Sequence, residues 1–163
     1  MIVSANSAKV LKSLQEYHKI VQRKLNNVVR GFAYKITQEA INHTPLGDAS
    51  AFMQRYIERQ EAIGLNPQEG FARGSWQVTN SSAFTVQTIY GINSGTQALS
   101  AVQSKLSGLT FRDNIFIGNR GYYIGFLENN YSPQTNNMGI MKPTMQAIMQ
   151  VYQISIKELY NKG

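Results

Sequence analysis

The sequence predicts an α+β fold, in which a long N-terminal helix and a C-terminal helix pack on a roughly four-stranded, mostly antiparallel sheet. Three observations predict it. Apolar residues recur at spacings of three and four through the first quarter of the chain, the period drops to two after Phe71, and helical spacing returns from Lys142. A length of 163 residues with 42% hydrophobic content suits one domain over residues 1–163 with a real core. Its parts run in the order helix 7–43, inserted helical segment 49–66, sheet with short helix 70–128, arm loop 129–140 and closing helix 142–160.

Ser7 to Asn42 reads as one amphipathic helix, with Val10, Leu14, Tyr17, Val21, Leu25, Val28, Phe32, Ile36 and Ala40 in a single stripe. Lys12, Lys19, Arg23 and Arg30 gather on a narrower arc, on the other side from Leu14 and Leu25. Gly31 is the weak point of the run, costing about 1 kcal/mol against Ala. Thr44-Pro45 ends it, because the residue before proline is steered out of the helical region. A shorter helix is expected over Ser50–Ile63, stopped by Gly64, with a turn-rich connector from Leu65 to Gly70.

Phe71–Val78 and Ala83–Tyr90 alternate apolar with polar residues around Asn80-Ser81-Ser82, the pattern of a hairpin. Thr96–Leu106 is a short helix capped by Ser94 or Thr96. Thr110–Ile117 and Tyr122–Leu127 are the third and fourth strands, joined by a Gly118-Asn119-Arg120-Gly121 turn. Lys142–Tyr160 closes the chain as a helix with Pro143 in its first turn and an apolar face of Met145, Ile148, Met149, Tyr152, Ile156 and Leu159.

Composition narrows the function classes. The chain has no cysteine, which removes disulfides and thiolate metal sites and fits assembly in a reducing cytoplasm. No window approaches about 18 consecutive apolar residues, so no membrane-spanning helix and no membrane partner are expected. The start of the chain lacks the order of a secretion signal. Net charge is +7, and residues 1–44 hold seven bases against two acids, a net of +5 of that total. Such a concentration points to an acidic partner surface or a polyanion.

Sites for chemistry are sparse. His18 and His43 would stand about 37 Å apart on one helix and cannot share a ligand sphere. No nucleophile motif, phosphate loop or compact nucleic-acid module appears. Glu128 has no second carboxylate nearby in sequence, as glycoside chemistry would want, so a structural hydrogen-bond or ion-pair role is expected. The sequence therefore predicts no enzyme, no cofactor and no metal. Trp76, Tyr122, Tyr123, Phe126 and Tyr131 are expected in the core rather than at an interface.

Four pieces stand in fixed order: Thr44-Pro45-Leu46-Gly47-Asp48 after the first helix, Gly70-Phe-Ala-Arg73-Gly-Ser-Trp76-Gln-Val78, Asn119 through Tyr122 to Leu127-Glu128…Tyr131-Ser132…Gln134, and Met138-Gly139-Ile140 before the last helix. This set resembles the neck and tail-completion (head–tail joining) protein family of long-tailed bacteriophages across nearly the whole chain. Asn130 replaces that family's Gly after Leu-Glu, Thr135-Asn136-Asn137 replaces its Ala-Pro, and Ala49–Pro67 exceeds its usual link.

The resemblance implies a structural virion protein in a ring, a hexamer or a dodecamer, around the channel for double-stranded DNA. It would sit at the neck or tail top of the virion, assembled in the cytoplasm of the host bacterium. Its neighbours would be head-closure or portal-side proteins and tail-tube or terminator proteins. On that basis Lys12, Lys19, Arg23 and Arg30 are candidates to face the DNA channel or an acidic partner. Asn129, Asn130, Tyr131, Ser132, Pro133, Gln134 and Met138 are candidates for an inter-subunit arm, while Arg73, Trp76, Leu127 and Glu128 are the motif's structural residues. A tail-terminator ring, or a stand-alone basic nucleic-acid-binding protein, is the alternative.

Overall fold

The computed structural model describes residues 5–47, 70–85, 89, 91–121, 124–129, 135 and 138–160. In chain order they form α1 (Ala5–His43), α2 (Phe71–Gly74), β1 (Trp76–Thr79), α3 (Ser94–Ser107), β2 (Phe116–Asn119), α4 (Ile124–Glu128) and α5 (Met141–Tyr160). The mixed helix-and-sheet class and the two long terminal helices are as the sequence predicts. The expected inserted helix at 50–63 lies outside the described residues.

The sheet differs. Among the described residues it has two strands rather than four, β1 and β2, antiparallel with Trp76 opposite Asn119 and Thr79 opposite Phe116. Of the expected hairpin partner of β1, only residues 83–85 and 89 are among the described ones, and there the Gln77 side chain holds Thr85, its Nε2 donating to the Thr85 carbonyl at 2.6 Å and its Oε1 accepting from the Thr85 N–H at 3.3 Å. Arg120 Nη1 donates to the Phe84 carbonyl, fixing the same segment from β2's end.

Three further segments correct the strand assignments. Phe71–Gly74, expected as the start of a strand, is a helical turn closed by Gly74 N–H to the Gly70 carbonyl and Ser75 Oγ to the Phe71 carbonyl. Residues 110–113 form a turn, because Asp113 Oδ2 accepts from both the N–H and the hydroxyl of Thr110 at 2.7 and 2.8 Å. Ile124–Glu128, expected as the end of a strand, is the short helix α4. Its apolar run has no alternation, and such short runs carry no period that separates strand from helix.

The core has two adjoining parts. Ala40 and Ile41 of α1 meet Phe71, Ala72, Trp76, Ala98, Leu127 and Ile140 in one. Ala33 of α1 meets Val78, Val102, Leu106 and Leu109 in the other, with Ile117 packed against both. In α3 the buried Ser94, Ala98, Val102 and Leu106 repeat every four residues, so one edge of the helix lies against α1 and β1. α1 and α5 also pack together, placing the two terminal helices side by side.

α1 meets this core with an unexpected face. At about 100° per residue, the buried Ala33, Thr37, Ala40 and Ile41 centre about 150° around the helix from Val10–Val28, and of the expected stripe its last residue, Ala40, joins the core. The stripe points outward: Leu14 is 60% exposed, Tyr17 67% and Val28 64%. Every residue from Ala8 to Ile20 is exposed, so the first half of α1 projects beyond the body.

Candidate functional site

The motif pieces converge on the end of α1. Thr44, fully buried, donates its hydroxyl to the Ala40 carbonyl at 2.6 Å, closing the helix at the residue before Pro45. The same oxygen accepts from the indole Nε1–H of Trp76 at 2.8 Å. Arg73 reaches the same residue from the other side, Nε donating to the Thr44 carbonyl at 2.6 Å. Arg73 stands in α2 and Trp76 opens β1 three residues later, and both side chains reach Thr44.

Asn119 joins the second and third pieces. Its Nδ2 donates to the Ala72 carbonyl at 2.6 Å, and its Oδ1 accepts from the Gly121 N–H at 2.7 Å. Leu127 is buried in the same core part as Trp76 and Ile140. Glu128, at the end of α4, turns its carboxylate onto the start of α5, where Oε2 accepts from the N–H groups of Ile140 and Met141 at 2.9 and 3.1 Å. A carboxylate there satisfies donors that the helix leaves unpaired and sits at the positive end of its dipole. Gly139 makes this approach feasible with φ of +69°, where a Cβ would stand 2.6 Å from the Glu128 carbonyl oxygen.

The basic arc divides into two kinds of residue. Lys12, Lys19 and Arg23 are exposed on the projecting half of α1. Arg30 is half-buried, and its Nε donates to the Leu109 carbonyl at 2.6 Å. One turn earlier, Asn26 Oδ1 accepts from the Phe111 N–H at 2.8 Å, so α1 grips the 109–111 turn with two side chains. Asn26 carried no signal in the sequence, because polar residues on an amphipathic helix usually face water.

Of the candidate arm, the structure describes Asn129 and Met138; Asn130, Tyr131, Ser132, Pro133 and Gln134 lie outside the described residues. Asn129 is exposed and donates through Nδ2 to the Gly125 carbonyl at 2.7 Å, while Met138 is exposed and its N–H donates to the carbonyl of the buried Thr135. Trp76 is in the core as expected, at 4% exposure. Tyr122, Tyr123 and Tyr131 are outside the described residues.

Two acids are tuned by their neighbours. Hydrogen bonds from the N–H and hydroxyl of Thr110 hold the Asp113 carboxyl below its ordinary value. Lys35, 2.7 Å from Glu39 across one turn of α1, lowers the Glu39 carboxyl. Beside Trp76 lies a cleft of about 280 Å³, lined by Gln77, Val78, Thr85, Ala101 and Lys105. Its one charged group is Lys105, and no three His, Asp or Glu converge anywhere among the described residues. No helix among the described residues is long and apolar enough to cross a membrane. No family model, curated protein or solved structure matches the chain.

Proposed function

We propose that the chain is a structural virion protein of a long-tailed bacteriophage, a ring-forming neck or tail-completion subunit that joins head to tail around the DNA channel. One observation carries the reading: the four ordered sequence pieces interlock around Thr44, Trp76, Asn119 and Glu128. Their most distinctive polar groups hold backbone in place, as a subunit working through shape requires. Bond-making chemistry has no part in this function. Rings arise when unlike surfaces on one chain meet head to tail and close after a full turn.

The exposed Lys12, Lys19 and Arg23 favour a second reading, a basic protein that binds nucleic acid alone. Salt sensitivity separates the two: a stand-alone binder shifts duplex DNA strongly at low salt and loses it steeply as salt rises. The neck reading is tested in particles. Phage lacking this chain should accumulate separate full heads and finished tails in electron micrographs, and normal joined, infectious particles would overturn the proposal.

A further inference from the structure

Two apolar helix faces remain open to water. On α1, Val10, Leu14, Tyr17, Val21, Leu25 and Val28 fall within an arc about 80° wide at spacings of four and three. That is narrower than the face of a helix lying on a globular core, and it has the width of a seam that receives one other helix. No charged residue of 8–32 lies within the arc. On α5, Met145 and Met149 are 45% and 56% exposed beside the buried Thr144 and Ile148. In the sequence the same four, three, four spacing runs on through Tyr152 to Ile156. Flexible methionine side chains fit an apolar partner of irregular shape.

We propose that the α1 stripe of one copy packs against the Met145–Met149 face of α5 in a second copy, joining subunits head to tail. The inference rests on the ring-forming reading above and names its contact. Two features favour another copy as the occupant. Every residue from Ala8 to Ile20 is exposed, and helices of this kind draw most of their stability from tertiary packing. A stripe about 27 Å long also offers on the order of 500 Å² on α1, near the lower bound per partner for a specific interface.

Charge agrees. Lys12, Lys19 and Arg23 sit diametrically opposite the stripe, so packing it leaves them solvated. Because the faces are unlike, each copy offers one and takes one, and the contact propagates instead of stopping at a pair.

The full chain should sediment as an assembly, and Leu14→Asp with Val28→Asp, or Met149→Asp alone, should weaken it at least about thirty-fold. These sites are exposed, and unchanged Trp76 fluorescence would show that each variant folds. As the chain has no cysteine, Leu14→Cys with Met149→Cys treated with a short bismaleimide should give a ladder of dimers, trimers and larger species. Each single-cysteine chain should give none. Four outcomes overturn the contact: dimers from Leu14→Cys alone, binding to anionic vesicles that Leu14→Asp abolishes, unchanged assembly in the Asp variants, or a wild-type chain that stays monomeric. A chain located in the neck of particles but joined through other surfaces would sink this contact alone.

Discussion

The indole of Trp76 and the hydroxyl of Thr44 are joined at 2.8 Å although 32 positions separate them, and the same hydroxyl closes α1 on Ala40. One buried oxygen thus acts as acceptor for the sheet and donor for the helix. Thr44→Val keeps the volume but removes both roles, leaving the Trp76 N–H buried and unpaired. The expected loss is about 1–3 kcal/mol in chemical denaturation. Trp76→Phe in the Thr44→Val background should add less than it does in the wild type, since the bond is already broken and the substitution removes the stranded donor. Purely additive losses would show that the bond carries no coupling.

Glu128 caps α5 across 12 residues of chain. Glu128→Ala should cost about 1–2 kcal/mol, the range for a lost helix cap. Glu128→Gln, which keeps one acceptor without the charge, should recover part of it. Gly139→Ala should be at least as damaging as Glu128→Ala, because its φ of +69° is strained for alanine and its Cβ meets the Glu128 carbonyl. Thermal midpoints of the three variants measure this order directly.

The helices were legible because their signals are redundant. α1 runs from Ala5 to His43 against an expected 7–43, and α5 from Met141 to Tyr160 against 142–160. The strands were legible only in part: β1 and β2 overlap the ends of the expected 71–78 and 110–117, while elsewhere polar side chains take backbone groups. Gln77 holding Thr85, and Asp113 holding Thr110, are contacts that no alternation pattern encodes. The face by which α1 meets the core was hidden for a related reason. Small and polar residues, Ala33, Thr37 and Ala40, make the close contact, with the Thr37 hydroxyl turned onto the Ala33 carbonyl, while the strongly apolar stripe looks outward. Hydrophobicity alone picks the wrong side. Thr44, Arg73, Trp76 and Glu128 were visible as a motif, yet their shared purpose emerged only from distances.

Gly31 lies exposed inside α1, and a Cβ there would meet no atom within 4 Å. Gly31→Ala should therefore stabilise the chain by about 0.5–1 kcal/mol through the lower backbone entropy of the unfolded state. The gain should appear as a higher denaturation midpoint with no change in assembly. A loss would mean that this surface is covered in the form measured.

Asp113 makes stability fall in acid. Its folded value lies below its ordinary one, so the hydrogen bonds from Thr110 contribute fully above the unfolded value, near pH 4, and are lost as pH drops through the lowered one. Thermal midpoints of the wild type between about pH 2 and 5 should slope more steeply than those of Asp113→Asn. Parallel curves would show that the carboxylate is not engaged in solution.

Arg30 and its three companions should separate cleanly in experiment. Arg30 donates to the Leu109 carbonyl from a half-buried position, so Arg30→Ala should cost about 1–3 kcal/mol by stranding that acceptor. Lys12→Glu, Lys19→Glu and Arg23→Glu change only exposed side chains and should leave the stability in chemical denaturation within about 0.5 kcal/mol of wild type. Their effect belongs to partners. If the arc faces DNA or an acidic neighbour, the triple reversal should abolish particle joining or DNA retention while the purified chain stays folded. If joining and retention both survive it, the arc is a solvated surface, and the grip of Arg30 on the 109–111 turn is the only work its charges do.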